Sequence, residues 1–175
     1  MTSLRVGVLA DTHGLLGDDT LAALAGSDAI LHAGDIGDEA LLDELRRIAP
    51  VVAVVGNGDP ELTDRYPWEQ RVELGGARIL LCHWYDNFGK IHPSVARELA
   101  DWQPHALVYG HTHEVVNERS EGCLRFNPGY AGPAAPGRRR SVGRLTVQGP
   151  AIEGEILWLD PEPASRPGGL NANGP

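Results

Sequence analysis

Hydrophobic residues in this chain are grouped in short continuous runs, and each run ends in a polar or charged residue. The runs occupy residues 4–9, 29–33, 51–55, 78–82 and 106–109. They are short and rich in Val, Ile and Leu, which is typical of strands buried on both faces of a parallel sheet. Segments with helical spacing of Leu and Ala lie between them, near residues 18–25, 38–48 and 94–100. The alternation of strand and helix predicts an α/β fold.

The pattern changes after about residue 69. Residues 70–74 and 77–82 flank Gly75 and Gly76 and predict a β-hairpin. Four later segments, at residues 114–118, 123–127, 142–147 and 152–158, predict antiparallel strands. Together these elements favour two sheets packed face to face with helices outside. We predict a single domain over residues 1–160 and a disordered Pro-, Gly- and Asn-rich tail over residues 161–175.

Residues able to bind metal ions follow the ends of the five apolar runs. In an open α/β sheet, ligands bind at the carboxyl ends of the strands, so these side chains should meet at one rim. Successive positions lie 22 to 28 residues apart, about the length of one strand–helix unit. The candidate ligands are Asp11, His13, Asp35, Asn57, His83, His111 and His113. Seven oxygen and nitrogen ligands are enough for two divalent ions, which points to hydrolysis.

The formal net charge is −9, which argues against coating nucleic acid or anionic membranes, because both need clustered Lys and Arg. A small phosphorylated substrate stays compatible, since two divalent ions among two carboxylates leave about two positive charges. No apolar stretch approaches the roughly 18 residues that span a membrane, and the N-terminus lacks a signal-peptide pattern. We expect a cytoplasmic protein without membrane partners; the pattern leaves self-association open.

Five motifs occur in the order found in calcineurin-like metallophosphoesterases, which the chain resembles over about residues 4–158. The motifs are Asp11-Thr12-His13, Gly34-Asp35, Gly56-Asn57-Gly58-Asp59, His83 and Gly110-His111-Thr112-His113, and Asn127-Pro128-Gly129 adds to the match. The resemblance is to the small bacterial and archaeal phosphodiesterase branch, to which the retromer subunit Vps29 also belongs. It implies a four-layer α/β/β/α sandwich of two mixed sheets with the site at its rim.

The resemblance also implies a role for each candidate ligand, dividing them into two sets that share one bridging carboxylate. The first ion would be bound by Asp11, His13 and His113, the second by Asn57, His83 and His111, and Asp35 would bridge them. Manganese is our first choice of metal, with iron, nickel or zinc as alternatives. The implied reaction is hydrolysis of a phosphoester, and specifically a phosphodiester, by a metal-bridging hydroxide.

Two other functions stay open. The first is a non-catalytic interaction scaffold like Vps29, although a scaffold tolerates the loss of metal ligands and none of the seven is replaced here. The second is a nucleotide-specific phosphatase or polyphosphatase, for which no dedicated base-recognition motif is present.

The candidate catalytic residues are Asp35, Asn57 and Asp59. We expect Asp59 to orient a ligand rather than to bind metal itself. Gly58 stands where many superfamily members have a His that protonates the leaving group, so the chain should favour good leaving groups. His32 lies inside a strand run, which indicates a hydrogen-bonded structural histidine.

The candidate substrate-binding residues are Arg138 and Tyr130. Arg138 belongs to a run of three arginines that either grips a substrate phosphate or forms a solvated loop. Bulky residues replace small ones at two places where the family often has Gly or Ser, Trp84 after the metal His and Tyr130 after Asn127-Pro128-Gly129. Aromatic side chains here either form a platform for a nucleobase or aryl group or pack in the core or a dimer contact. This set consists of Trp68, Trp84, Tyr85, Phe88 and Tyr130.

Overall fold

The computed structural model describes residues 3–87 and 90–161, so Phe88 and most of the predicted tail lie outside the described residues. Its strands are β1 Leu4–Leu9, β2 Ala29–Ala33, β3 Val51–Val54, β4 Glu69–Leu74, β5 Ala77–Cys82, β6 Asp86–Asn87, β7 Lys90–Ile91, β8 Ala106–Val108, β9 Val115–Ser120, β10 Cys123–Pro128, β11 Ser141–Gln148 and β12 Ala151–Trp158. Its helices are α1 Asp18–Leu24, α2 Ala40–Arg46 and α3 Pro93–Asp101, with a 3₁₀ turn at Pro60–Leu62. All five early apolar runs therefore form strands.

The larger strands form two mixed five-stranded sheets. The first has the order β12-β11-β1-β2-β3, in which β1, β2 and β3 are parallel. The second has the order β4-β5-β8-β10-β9, in which β5, β8 and β10 are parallel. Each sheet therefore contributes a group of parallel strands, and the residues that follow these strands form the candidate site.

The antiparallel pairing expected among the segments after His113 is confirmed for β9 with β10 and for β11 with β12. In addition, β10 pairs in parallel with β8, with Leu124 opposite Ala106. The reason is the hairpin of β9 and β10. Because β9 runs antiparallel to β10, the hairpin reverses the chain so that β10 lies beside β8 and runs in the same direction.

Alternation along the strands separates the core into layers. Leu31 and Leu81 pack between the two sheets, whereas their neighbours Ile30 and Leu80 point to opposite outer faces. Ile30 packs in the outer cluster that contains residues of α1 and α2, and Leu80 packs with Val95 of α3. The four-layer α/β/β/α sandwich is confirmed.

Polar residues beside the starts of α2 and α3 make different contacts. The Asp38 carboxylate accepts a hydrogen bond from the Ala40 backbone N–H at 3.0 Å, just before α2. α3 begins at Pro93, and the Ser94 hydroxyl donates to Glu69. No helix in the described part of the chain is long and apolar enough to cross a membrane.

Candidate metal centre

Backbone pairing continues beyond the ends of β1 and β2 and brings two loops together. The Asp11 N–H donates to the Gly34 carbonyl at 3.0 Å, and the His13 N–H donates to the Asp35 carbonyl at 3.0 Å. The loop after β1 is therefore held against the loop after β2. Backbone pairing alone therefore places Asp11, His13 and Asp35 side by side.

Five of the candidate ligands have a left-handed backbone. Their φ angles are 56° for Asp11, 46° for His13, 52° for Asp35, 71° for His111 and 60° for His113. This conformation is uncommon outside glycine and tends to cluster at functional sites. His111 and His113 would point to opposite faces of a strand, but they lie in the loop between β8 and β9, as the sequence requires if both are to face one site.

The Asp35 carboxylate lies between two imidazoles. Its Oδ2 is 3.9 Å from His13 Nε2, and its Oδ1 is 3.4 Å from His83 Nε2. The Gly58 backbone N–H donates to Oδ1 at 2.7 Å and fixes the carboxylate further. Asp35 is only 4% exposed. Its two oxygens thus face histidines from the two different sets that the family resemblance implies.

Asp11 contacts His111 and His113 at the same place. His113 Nε2 lies 3.1 Å from Asp11 Oδ1, and the His111 N–H donates to Asp11 Oδ2 at 3.1 Å. Asp11 is fully buried, and Oδ1 makes no hydrogen bond within the described residues, although His113 Nε2 lies 3.1 Å away. A buried carboxylate oxygen without a donor is costly, so this atom is suited to binding a cation.

His83 presents a second unpaired buried atom. Its Nδ1 lies 2.7 Å from the Ala33 carbonyl oxygen, which can only accept, so Nδ1 carries the proton and donates. The Nε2 lone pair therefore faces Asp35 and has no hydrogen-bond partner within the described ranges. Orientation by a backbone carbonyl is the usual arrangement for a histidine that binds metal.

The donor atoms form two overlapping groups that fit divalent cations. Ligand atoms of Asp11, His13 and His113 lie within 4.8 Å of one another, as do those of Asp11, Asp35 and His83. Imidazole and carboxylate donors suit manganese, iron, nickel and zinc. The structure therefore brings histidines from both halves of the chain to one place.

His111 and Asn57 border the same place. The His111 ring lies 5.3 Å from the His83 ring, and burial, with the nearby His83 ring, lowers the pKa of His111 below its usual value. Asn57 is exposed in the loop whose next residue, Gly58, donates to Asp35. Metal binding by these residues stays a prediction.

Glycine is required where the loops meet. A Cβ on Gly56 would lie 2.1 Å from Asp35 Oδ1 and 2.8 Å from the His83 ring. A Cβ on Gly34, where φ is 89°, would lie 2.6 Å from the His83 Cβ. These two positions let the carboxylate and the imidazole approach each other directly.

Asp59 joins two of the loops. Its carboxylate accepts backbone N–H groups of Ile36 at 3.0 Å, Gly37 at 2.8 Å and Gly56 at 2.9 Å, and the residue is 1% exposed. Both oxygens are directed at the backbone. Asp59 therefore holds the loop that carries Asp35, in agreement with the expectation that it orients a ligand.

Asn127 has a comparable position that the candidate set did not include. Its amide donates to the Gly110 carbonyl at 3.0 Å and to the Thr112 hydroxyl at 3.1 Å. Its oxygen accepts from the Gly129 N–H at 2.9 Å. Asn127 thus positions the loop of His111 and His113; the available signal was its place in the Asn-Pro-Gly motif.

His32 is a structural histidine, as expected. It is fully buried, and its Nδ1 accepts the Gly34 N–H at 3.2 Å, which leaves the proton on Nε2 for Thr12 Oγ1 at 2.9 Å. The Thr12 hydroxyl in turn donates to the Ile36 carbonyl at 3.0 Å. Burial lowers the pKa of His32 to about 4, so the ring is neutral and links the two loops.

The two predicted substrate-binding residues differ in exposure. Tyr130 is 5% exposed, and its ring lies 4.8 Å from that of His113. The exposed Arg138 places its guanidinium 4.7 Å above the Tyr130 ring. The Tyr130 ring therefore packs against both His113 and Arg138, and substrate binding by Tyr130 or Arg138 stays a prediction.

The remaining arginines of the run have structural contacts. Arg140 pairs with Asp19 and Asp160, which holds the loop to α1 and to the end of β12. Arg139 packs 4.1 Å above the Trp158 ring. A cavity of about 420 Å³ lies beside this loop and is also lined by His113 and Arg138.

The predicted aromatic residues include both packed and exposed side chains. Tyr85 packs 4.9 Å from Tyr109 against the outer core of the second sheet. Trp84 and Trp68 are 37% and 53% exposed, and the Trp84 ring lies 4.9 Å from that of His111. Part of the set is thus core packing, and the two tryptophans remain as platform candidates.

Comparisons with known proteins agree with this geometry. The calcineurin-like phosphoesterase superfamily domain matches residues 4–149. A probable metallophosphoesterase of Methanothermobacter thermautotrophicus is 29% identical over 165 residues, which cover 88% of this chain and 92% of that protein. A phosphodiesterase of Methanocaldococcus jannaschii is 24% identical over 143 residues, 72% of this chain and 83% of the relative. Chaetomium thermophilum Vps29 shares the fold, with a TM-score of 0.71 at 20% identity over 89% of this chain and 97% of that one.

Proposed function

The chain belongs to the calcineurin-like phosphoesterase superfamily, and from that premise we propose that it is a phosphodiesterase that uses two divalent metal ions. One observation carries the proposal: Asp11 Oδ1 and His83 Nε2 are both buried, and neither has a hydrogen-bond partner in the described part of the chain. Two acceptor atoms in one ligand cluster cost free energy unless a cation binds them. The name of the M. jannaschii relative supports a diester substrate.

The proposed ligands follow the two groups of side chains around Asp35. Asp35 is the proposed bridge, because its oxygens face His13 and His83 separately. The first ion takes Asp11, His13 and His113, and the second takes Asn57, His83 and His111. Manganese is the proposed metal, with iron, nickel and zinc compatible with the same donors.

Bound ions would supply Lewis acidity, which lowers the pKa of water toward neutrality and offsets the charge of the phosphate oxygens. The protein residues provide the arrangement. The His83 Nδ1–H donates to the Ala33 carbonyl and so directs Nε2 toward Asp35, while Asp59 and Asn127 hold the loops. Arg138 adds positive charge beside His113, where it can bind a phosphate oxygen.

Gly58 provides no side-chain proton donor beside Asp35. General acid help is typically worth about 10²–10⁴-fold, so its absence matters most for poor leaving groups. Phenolates that leave without a proton should therefore be cleaved fastest. Bis-p-nitrophenyl phosphate, a diester with such a leaving group, is the appropriate test substrate.

The test is hydrolysis of bis-p-nitrophenyl phosphate by wild-type protein with Mn²⁺, by the same protein with EDTA, and by the His83→Ala variant with Mn²⁺. We expect hydrolysis only in the first case, with a loss of at least about a hundredfold in the variant, because even a supporting partner of a metal ligand is worth 10–100-fold. Equal rates in all three samples would rule out the proposal.

An interaction scaffold is the second candidate function, and the shared fold with Vps29 is the observation that favours it. Turnover separates the two functions, since a scaffold would not hydrolyse bis-p-nitrophenyl phosphate in Mn²⁺, whereas a metal ion could be bound by either.

A further inference from the structure

We propose that Trp84 determines substrate specificity by stacking on an aromatic arm of the phosphodiester, an aryl group or a nucleobase. This inference rests on the proposed function and specifies its substrate class. The residue would contact the part of the substrate that does not react, so its effect is on binding preference rather than on chemistry.

The position of Trp84 carries the argument. It directly follows His83 at the end of β5, and its ring lies 4.9 Å from the His111 ring at an angle of 36°. His111 in turn lies 5.3 Å from His83. Three rings thus lead from the buried His83 outward to an indole that is 37% exposed. A group bound at His83 and His111 would have this indole as its neighbour.

The opposite side of the site has a different chemistry. There, the His113 ring packs against the Tyr130 ring, and the exposed Arg138 guanidinium lies above that ring. One side therefore offers an exposed aromatic ring and the other offers a positive charge. A phosphodiester has two arms, and an aromatic arm matches the side of Trp84 while polar or anionic groups match the side of Arg138.

Trp68 extends the aromatic side. Strand register pairs Glu69 with Cys82, so the preceding Trp68 lies at the same strand end as His83. Trp68 is 53% exposed. Single exposed apolar residues are common on proteins, but here two tryptophans border one end of a ligand cluster.

The loss of affinity expected in Trp84→Ala is that of removing one aromatic stacking partner. Loss of an aromatic platform typically weakens binding of one stacked base by roughly five- to 150-fold. An alkyl arm cannot stack, so its binding should change little. The ratio of the two affinities therefore isolates Trp84 from any general disturbance of His111.

The experiment measures binding of phenylphosphonate and ethylphosphonate to the full-length protein in Mn²⁺ by titration calorimetry. These probes share one headgroup and differ only in the arm. We expect wild-type protein to bind the phenyl compound at least about fivefold more tightly and Trp84→Ala to lose that preference. Trp84→Phe, which keeps a ring, should retain it, and so should Trp158→Ala, which removes an exposed tryptophan beside Arg139.

The outcomes separate this inference from the proposed function, because hydrolysis of bis-p-nitrophenyl phosphate is measured on the same samples. Hydrolysis together with an unchanged phenyl preference in Trp84→Ala, or with no preference in the wild type, overturns the inference alone. A preference that depends on Trp84 without hydrolysis supports the aromatic site and rejects the enzyme. If neither phosphonate binds the wild-type protein, the inference is overturned.

Discussion

The floor and the rim of the candidate metal centre are built differently. The floor consists of Asp11, Asp35 and His83, which are at most 4% exposed. Backbone groups of several loops form hydrogen bonds with the two carboxylates and with His83 Nδ1. The rim consists of His13, His111 and His113 with Trp84 and Arg138, all partly or largely exposed. Contacts between rings join the rim side chains to one another.

The difference indicates a division of function. Floor residues have their remaining polar atoms directed at one another, so changes there should alter metal binding and stability together. Trp84 and Arg138 of the rim face solvent and are not metal-ligand candidates, so changes at these two residues should alter which substrate binds while leaving the fold intact. The following predictions test that division, beginning with the largest effect.

Replacing Asp35 with Asn should have opposite effects with and without metal. The variant keeps the oxygen that accepts from Gly58 but removes a negative charge buried beside Asp11. We expect metal affinity to fall at least about a hundredfold. In EDTA the melting temperature should rise by about 2–4 °C, the effect of about 1 kcal/mol of relieved repulsion. Thermal unfolding with EDTA and with Mn²⁺ measures both.

The matched control is Asp64→Asn, which removes the same charge from an exposed position. It should behave as wild type in both conditions. An Asp35→Asn protein that is stabilised by Mn²⁺ as strongly as wild type would show that the floor does not bind metal.

The pH dependence of stability should report His32. Its pKa in the folded protein is about 4, below the usual 6.5, so the unfolded chain binds the proton more readily. The free energy of unfolding is therefore highest above pH 6.5 and falls as the pH drops toward 4. The loss from this group is at most about 3 kcal/mol.

Urea unfolding of metal-free protein at pH 7.5 and pH 4.5 measures this loss. The His32→Gln variant keeps a donor and an acceptor but does not titrate, so it should lose less stability than wild type over the same range. Equal losses in the two proteins would contradict a buried neutral His32.

Substituting Gly58 should damage the floor rather than supply a proton donor. A Cβ at this position would lie 3.0 Å from Asp35 Oδ1, closer than most carbon–oxygen contacts. We expect Gly58→Ala and Gly58→His to weaken metal binding alike, by about tenfold. Mn²⁺ titration checks this. Faster cleavage of an alkyl diester by Gly58→His than by wild type would show that the missing donor matters more than the contact.

The smallest effect is expected at the rim. Arg138→Ala should raise KM for bis-p-nitrophenyl phosphate about two- to fivefold, the range of an exposed charge contact, without changing the metal content. Arg97→Ala, which removes an exposed arginine from α3, is the control and should leave KM unchanged. A loss of bound metal in Arg138→Ala would contradict the separation of rim and floor.

The framework and the ligand positions could be predicted because both depend on local patterns. Apolar runs mark the strands, and a polar residue after each run marks the rim of the sheets. An orienting role was expected for Asp59, but the backbone groups that Asp59 and Asn127 bind could not be predicted, since folding alone brings those loops close. Likewise, exposure is a tertiary property: Tyr130 is covered by Arg138, while Trp84 is left open.

The most direct test of the account is the number of divalent ions bound per chain. Protein loaded with Mn²⁺, freed of excess metal and analysed for elements should contain about two ions per wild-type chain and fewer in His83→Ala. A wild-type chain that retains no metal, under conditions where it remains folded, would contradict the account.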